Sequence, residues 1–225
     1  MIVLVHSGVC DNRMWDGFDL PGAIRHEVRG FGQSPLPPTG EVSDADDLVE
    51  ALGGEPAALV GASYGGWICL QVAAAHPELV TDLVLLSARL PDHDWSEEIE
   101  RFAHEEEGLV EQGDLHGAAT LCADFWLESP ALREQVIAMQ ERAYELQLES
   151  EAELIEPDRI DLTAIAARTL VAVGELDKPD FHSIAKRLAS EIEGAQSATI
   201  AGAGHLAPME RPEETARLVR EFLQR

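Results

Sequence analysis

The chain has 225 residues, 45% of them hydrophobic, and its 42 acidic against 16 basic side chains give a formal net charge of -26. A surface this acidic repels nucleic acid and anionic membranes, so neither is expected as a partner. No apolar run approaches a membrane span, and the opening MIVLV is too short for a signal-peptide core and has no basic leader, which leads us to expect a soluble, cytoplasmic protein.

The elements alternate. IVLV, from Ile2 to Val5, reads as a buried strand, followed by a polar loop with Gly8, Asp11 and Asn12; a second short strand is expected over Ile24 to Val28, ending at the loop RGFGQSPLPP. Ser43 is placed to cap a helix from Asp44 to Leu52, with acidic residues in its first turn where the helix dipole favours them. AALVG is the next strand, then a turn at Ser63, a helix ending near His76-Pro77, and the apolar strand DLVLLS from Asp82 to Ser87. Between Pro91 and Pro157 the rhythm changes. Asp94 with Glu97 resembles a capping box, Ser129-Pro130 opens another helix, and Leu132, Val136, Met139, Ala143 and Leu146 recur at helical spacing. No strand is expected there. The alternation then resumes with TLVAVG, the helix FHSIAKRLASEI, the strand SATIAG and a closing helix from Glu213 to Leu223. Nearly continuous apolar strands separated by helices imply an α/β fold, a mostly parallel sheet covered on both faces. We expect a core of residues 1–90 and 158–225, with 91–157 as a helical cap insertion.

The stretch GASYGG puts Ser63 where a strand turns directly into a helix, among glycines that point to close backbone approach or positive φ. A serine hydroxyl is a poor nucleophile at neutral pH and needs a base, an orienter for that base and donors for the oxyanion. Candidates follow two later strands of the same sheet: Asp177 in GELDKPDF, just past Gly174, and His205 in the glycine-rich AGAGHLAPMERP. Glu175 and Asp180 in the same loop, and Asp92 or Asp94 after DLVLLS, are rivals for the acid. The three cysteines, Cys10, Cys69 and Cys122, are odd in number without a CxxC pair and read as reduced thiols, with Cys10 beside the first loop.

Five segments in register, LVHSGVCDNRMWD, RGFGQS, GASYGG, GELDKPDF and GAGHLAPMERPEE, resemble the landmarks of the α/β-hydrolase superfamily. More narrowly, the chain is similar to its cofactor-free esterase and 3-oxoadipate enol-lactonase-like branch. The order Ser63, Asp177, His205 is the family's order. The resemblance implies Ser63 as nucleophile, His205 as general base and then acid, Asp177 as the group orienting the imidazole, and no cofactor. It also implies an oxyanion hole made by the backbone N–H of Tyr64 and one from the first loop, Gly8 by position with Val9 as the fallback. The chain departs from the family in having His6-Ser7 where His-Gly is usual, and in lacking the usual pair of antiparallel strands before the landmark strand at Ile2.

The implied activity is hydrolysis of a small carboxylic ester or lactone through an acyl-enzyme. Carbon–carbon bond hydrolysis, cofactor-free perhydrolysis and a slow-turnover ligand receptor are the alternatives. Phe125 and Trp126 are candidate substrate contacts, against the reading that such rings only fasten the insertion to the body. Arg89 and Arg13 are candidates to pair with a substrate carboxylate, against ordinary surface ion pairs. His6 and Arg29 are expected to organise their loops, and Trp67 to sit in the core. No histidine spacing suggests a zinc site. The expected partner is a small-molecule substrate; the oligomeric state is left open, a homodimer being compatible with the sequence.

Overall fold

Each apolar run opens a strand whose carboxyl end faces the same edge, and the chain returns by a helix or a turn. The computed structural model describes residues 1–224. In chain order these form β1 (Ile2–Val5), β2 (Ala23–His26), β3 (Thr39–Val42), α1 (Asp44–Leu52), β4 (Ala57–Ala62), α2 (Tyr64–Ala75) and β5 (Val80–Leu86). Three helices follow, α3 (Glu97–Glu111), α4 (Leu115–Trp126) and α5 (Arg133–Leu148). The chain then forms β6 (Glu151–Leu154), β7 (Arg168–Gly174), α6 (Pro179–Glu191), β8 (Gln196–Ile200), α7 (Ala207–Glu210) and α8 (Pro212–Leu223). The main sheet runs β2-β1-β4-β5-β7-β8, and every pairing in it is parallel.

Successive strand side chains point to opposite faces, so the continuous apolar runs feed two cores. Leu59, Leu83, Leu85, Val171 and Val173 pack with residues of α1, α2 and α6 on one face. Val60, Val84, Leu86, Leu170 and Ala172 pack on the other with α8 and with Met14 and Trp15 of the first loop. That second core continues into α4 and α5 through Ala119, Cys122, Val136 and Met139, which is how the helices between β5 and β7 are held to the sheet.

Four local expectations change. The second strand ends at His26 rather than Val28, because the N–H of Val28 donates to Nε2 of His6 at 3.1 Å. The segment 91–157, expected to be without strands, contains β6, which pairs in parallel with β3 as a separate two-stranded sheet. Neither TGEV nor EAEL buries an apolar run. Their pairing is set by tertiary contacts such as Ser150 Oγ donating to the Pro37 carbonyl at 2.6 Å and Ile155 N–H to Val42 at 2.7 Å. The cap of α3 is Ser96, not Asp94, and Ser129-Pro130 opens a short 3-10 turn that runs into α5 at Arg133. Ser43 caps α1 as expected, accepting from Asp46 N–H at 3.2 Å.

Candidate active site

Three strands of the parallel sheet end at one edge, and the residues just beyond them meet there. After β4 the chain must reverse into α2 without a loop. Ser63 takes the strain, with φ 50° and ψ −112°, a backbone region that costs a non-glycine residue about 1–3 kcal/mol. The surrounding glycines do not supply the positive φ; they supply room. A Cβ on Gly65 would collide with the carbonyl oxygens of Val5 and His6, and one on Gly66 would lie 2.6 Å from Cβ of Ala88. The Ser63 side chain makes no cap bond to α2, which leaves its hydroxyl for other contacts.

Past β7 and β8 the two loops are knitted together. Glu175 N–H donates to Ile200, Leu176 N–H to Ala203 at 2.8 Å, and Gly202 N–H to the Glu175 carboxylate at 2.8 Å. These bonds bring Asp177 to His205, whose Nδ1 lies 3.1 and 3.2 Å from the two carboxylate oxygens. The other imidazole nitrogen, Nε2, lies 2.9 Å from Ser63 Oγ. Burial alone would push the Asp177 carboxyl up. The charge and hydrogen bond of His205 and the Lys178 N–H, at 2.8 Å, together outweigh it and hold the group below the usual carboxylate range. The rings of Phe181 and Trp126 lie 4.2 and 4.6 Å from that of His205 and leave it only 5% exposed.

Ser63 and His205 open into a cavity of about 750 Å³, whose wall also includes Gly8, Val9, Tyr64, Arg89 and Trp126. Tyr64 is the first residue of α2, so its N–H has no acceptor within the helix. Gly8 faces it closely: a Cβ there would stand 3.2 Å from that of Tyr64. The Val9 N–H is turned to Ser7 Oγ at 3.4 Å. His6 fixes this loop. Its Nδ1–H donates to the Ser7 carbonyl at 2.9 Å while Nε2 accepts from Val28, and burial lowers its pKa to about 4, so the ring is neutral.

Among the other sequence candidates, Phe125 stays outside the cavity wall, stacked on Phe102 at 4.2 Å with the Lys178 ammonium 4.1 Å from the centre of its ring. Arg89 lines the cavity but pairs with Glu156 at 2.9 Å, and the other Glu156 oxygen accepts from Trp67 Nε1 at 2.9 Å. Arg13 is engaged by Asp11, and Arg29 by Asp47 at the start of α1. The rival acids have other partners: Asp180 accepts from Ser96, and Asp92 pairs with Arg187 at 2.8 Å. Glu175 bonds the Gly202 N–H, and Asp94 is exposed. Cys10 is buried against Met209, with its thiol pushed up by burial. Among the described residues no group of three His, Cys, Asp or Glu is placed to hold a metal ion, and no helix is long and apolar enough to cross a membrane.

Sequence reading missed Phe181, although it lies inside GELDKPDF. It also missed Asp44, which looks like an ordinary first-turn acid yet accepts from the Tyr64 hydroxyl at 2.5 Å in the cavity wall. Glu106, Gln140 and Tyr144, which line the same cavity, carry no local signal at all.

The chain is similar to known proteins over nearly its whole length. A family model described as the alpha/beta hydrolase family matches residues 2–218. The chain is 26% identical to a 2-hydroxymuconate semialdehyde hydrolase from Pseudomonas putida, over 89% of this chain and 76% of that one. Its structure is similar to a thermophilic esterase from Thermogutta terrifontis, with a TM-score of 0.78 at 27% identity over 99% of this chain and 89% of the other. An enol-lactonase from Burkholderia xenovorans LB400 shares the fold, with a TM-score of 0.78 at 21% identity over 100% and 91% of the two chains. On the extent of the family match, the chain belongs to the alpha/beta hydrolase family.

Proposed function

We propose that the protein is a serine hydrolase that cleaves a small carboxylic ester or lactone through an acyl-enzyme, with Ser63 as nucleophile. The observation that carries this reading is the unbroken chain of contacts from Asp177 through His205 to Ser63 Oγ at the wall of a cavity. Nδ1–H of His205 donates to Asp177, which fixes the tautomer that leaves Nε2 free to take the serine proton. Oγ attacks the carbonyl carbon and the π electrons move to oxygen, where the N–H groups of Tyr64 and Gly8 stabilise the charge. The intermediate collapses, the C–O bond to the leaving group breaks, and His205 returns the proton to the departing alkoxide. Water then attacks the acyl carbon as the same imidazole takes its proton, the bond from that carbon to Ser63 Oγ breaks, and the imidazole returns the proton to Oγ as the acid leaves. The helices α3 to α5 act as a lid, with Trp126 against the imidazole excluding bulk water.

The 27% identity to an esterase supports ester cleavage. Carbon–carbon bond hydrolysis is the second reading, favoured by the relative from Pseudomonas putida. The partner in either case is a small molecule. Ser63→Ala tests the mechanism. Turnover of p-nitrophenyl acetate or butyrate should fall by on the order of 10⁶, as for loss of a serine nucleophile, with the folded circular dichroism spectrum retained. Undiminished turnover in that variant removes Ser63 from the reaction. Product analysis on esters against diketones separates the two readings.

A further inference from the structure

The cavity wall formed by α3 and α5 is polar in an unusual way. Tyr144, on α5, donates its hydroxyl to Oε1 of Glu106 on α3 at 2.5 Å, and Cys122 Sγ on α4 lies 3.1 Å from the same oxygen. Both donors converge on Oε1, which leaves Oε2 without them. One turn before Tyr144, the Gln140 side chain also lines the cavity. Gln140 is 4% exposed, and its buried Oε1 has no hydrogen-bond partner among the described residues. A buried amide oxygen without a donor is costly and calls for an explanation, and Gln140 differs from the other such groups of the described residues in lining the cavity that holds Ser63 and His205. Tyr144, Cys122 and Gln140 are themselves buried and Glu106 is half-buried, so this polar wall is largely enclosed by the packing of the three helices. Phe102 and Trp126, packed edge to face at 5.2 Å, line the cavity beside it.

We propose that Glu106 and Gln140 form a subsite for a hydrogen-bond donor carried by the substrate, a hydroxyl or ammonium group, so that the preferred ester or lactone is one bearing such a donor. Both free acceptors belong to the same wall, and an apolar substrate would leave them unpaired. A site built to bond a donor rejects the analogue that lacks it far more strongly than an apolar pocket distinguishes one methylene. The inference rests on the hydrolase reading above.

The test uses the intact protein and three series of p-nitrophenyl esters with acyl chains of four to eight carbons: plain, ω-hydroxy and ω-ammonio. The quantity read is the kcat/KM ratio of each donor ester to the plain ester of the same length, in the native chain, Gln140→Leu and Glu106→Gln. At the best chain length, Gln140→Leu should lower both donor ratios about tenfold. Glu106→Gln keeps an acceptor but loses a charge, so it should lower the ammonio ratio and spare the hydroxy ratio if ammonium is the natural group. If hydroxyl is, the native hydroxy ratio exceeds the ammonio ratio. Replacing an unpaired amide by leucine should also raise Tm, whereas an amide that only supports the fold would lower it. Donor ratios that neither variant changes overturn the subsite. Fluorophosphonate labelling of Ser63 is measured in parallel: its absence is the failure of the hydrolase reading, while labelling with unchanged ratios is the failure of the subsite alone.

Discussion

The hydroxyl of Tyr64 donates to Oδ2 of Asp44 at 2.5 Å, and this joins the residue after the candidate nucleophile to the first turn of α1. Burial raises the Asp44 carboxyl to about 6, with Asp47 and Glu156 adding to it, while the Tyr64 hydrogen bond acts in the opposite direction. The folded chain therefore binds more protons at this site than the unfolded chain between about pH 4 and 6, and Asp44 makes stability fall as pH rises through that window. A rise from 3.8 to about 6 corresponds to roughly 3 kcal/mol. Asp44→Asn should remove this dependence, so that its stability relative to the native chain climbs from pH 4 to pH 6 and is level above pH 7. Urea denaturation at several pH values measures it; a difference that does not vary with pH would contradict the raised carboxyl.

Ser63 holds a positive φ that glycine adopts freely. Ser63→Gly should destroy activity and yet stabilise the fold by about 1 kcal/mol, the strain relieved less the extra backbone entropy of glycine. For a chain of this size that is about 2–4 °C in Tm, read by differential scanning calorimetry. A lowered Tm would show that the serine conformation is not strained.

Asp177 is the acid that faces His205. Asp177→Asn should lower kcat by about 10⁴ at neutral pH, since the amide can stabilise the wrong imidazole tautomer. Glu175→Gln, which touches a backbone N–H and not the ring, should stay within a few-fold of the native rate. Because the Asp177 carboxyl is held below its ordinary range, the stability it contributes is present above about pH 4 and is lost as pH falls through its folded value. Kinetics of the two variants side by side decide the assignment; equal losses would make the acid interchangeable.

Gly65 has rigid neighbours. Its missing Cβ would strike the carbonyl groups of Val5 and His6, which no side-chain rotation can move. Gly65→Ala should cost at least the 1–3 kcal/mol typical of overpacking, and should displace the loop carrying Gly8. Urea denaturation measures the first effect and p-nitrophenyl butyrate turnover the second. A fully stable, fully active alanine variant would refute the close approach.

Glu156 neutralises Arg89 in the cavity wall. Glu156→Gln should release the guanidinium and raise kcat/KM for esters with a carboxylate by up to about tenfold, a change of 1.4 kcal/mol, relative to neutral esters of the same length. Arg89→Ala should reverse that preference. Identical selectivity in all three proteins would show that Arg89 does not meet the substrate.

The order of the main-sheet strands was legible in the chain because apolar runs and glycine turns are local signals: IVLV, AALVG, DLVLLS and TLVAVG each had to be buried on both faces. The meeting of Ser63, Asp177 and His205 was legible for a related reason, since strands of one parallel sheet end at one edge and residues just past them converge. What depended on the distant fold stayed hidden. EAEL becomes a strand only because TGEV, over a hundred residues earlier, offers its backbone. Phe125 and Trp126 are adjacent and both aromatic, yet Trp126 lies against His205 while Phe125 turns to Phe102. Glu106 and Gln140 look like any surface residues on two helices. A hydrophobic period tells which side of a helix is buried, but which cavity a buried polar group faces is set by how the helices pack, and packing is a property of the whole chain.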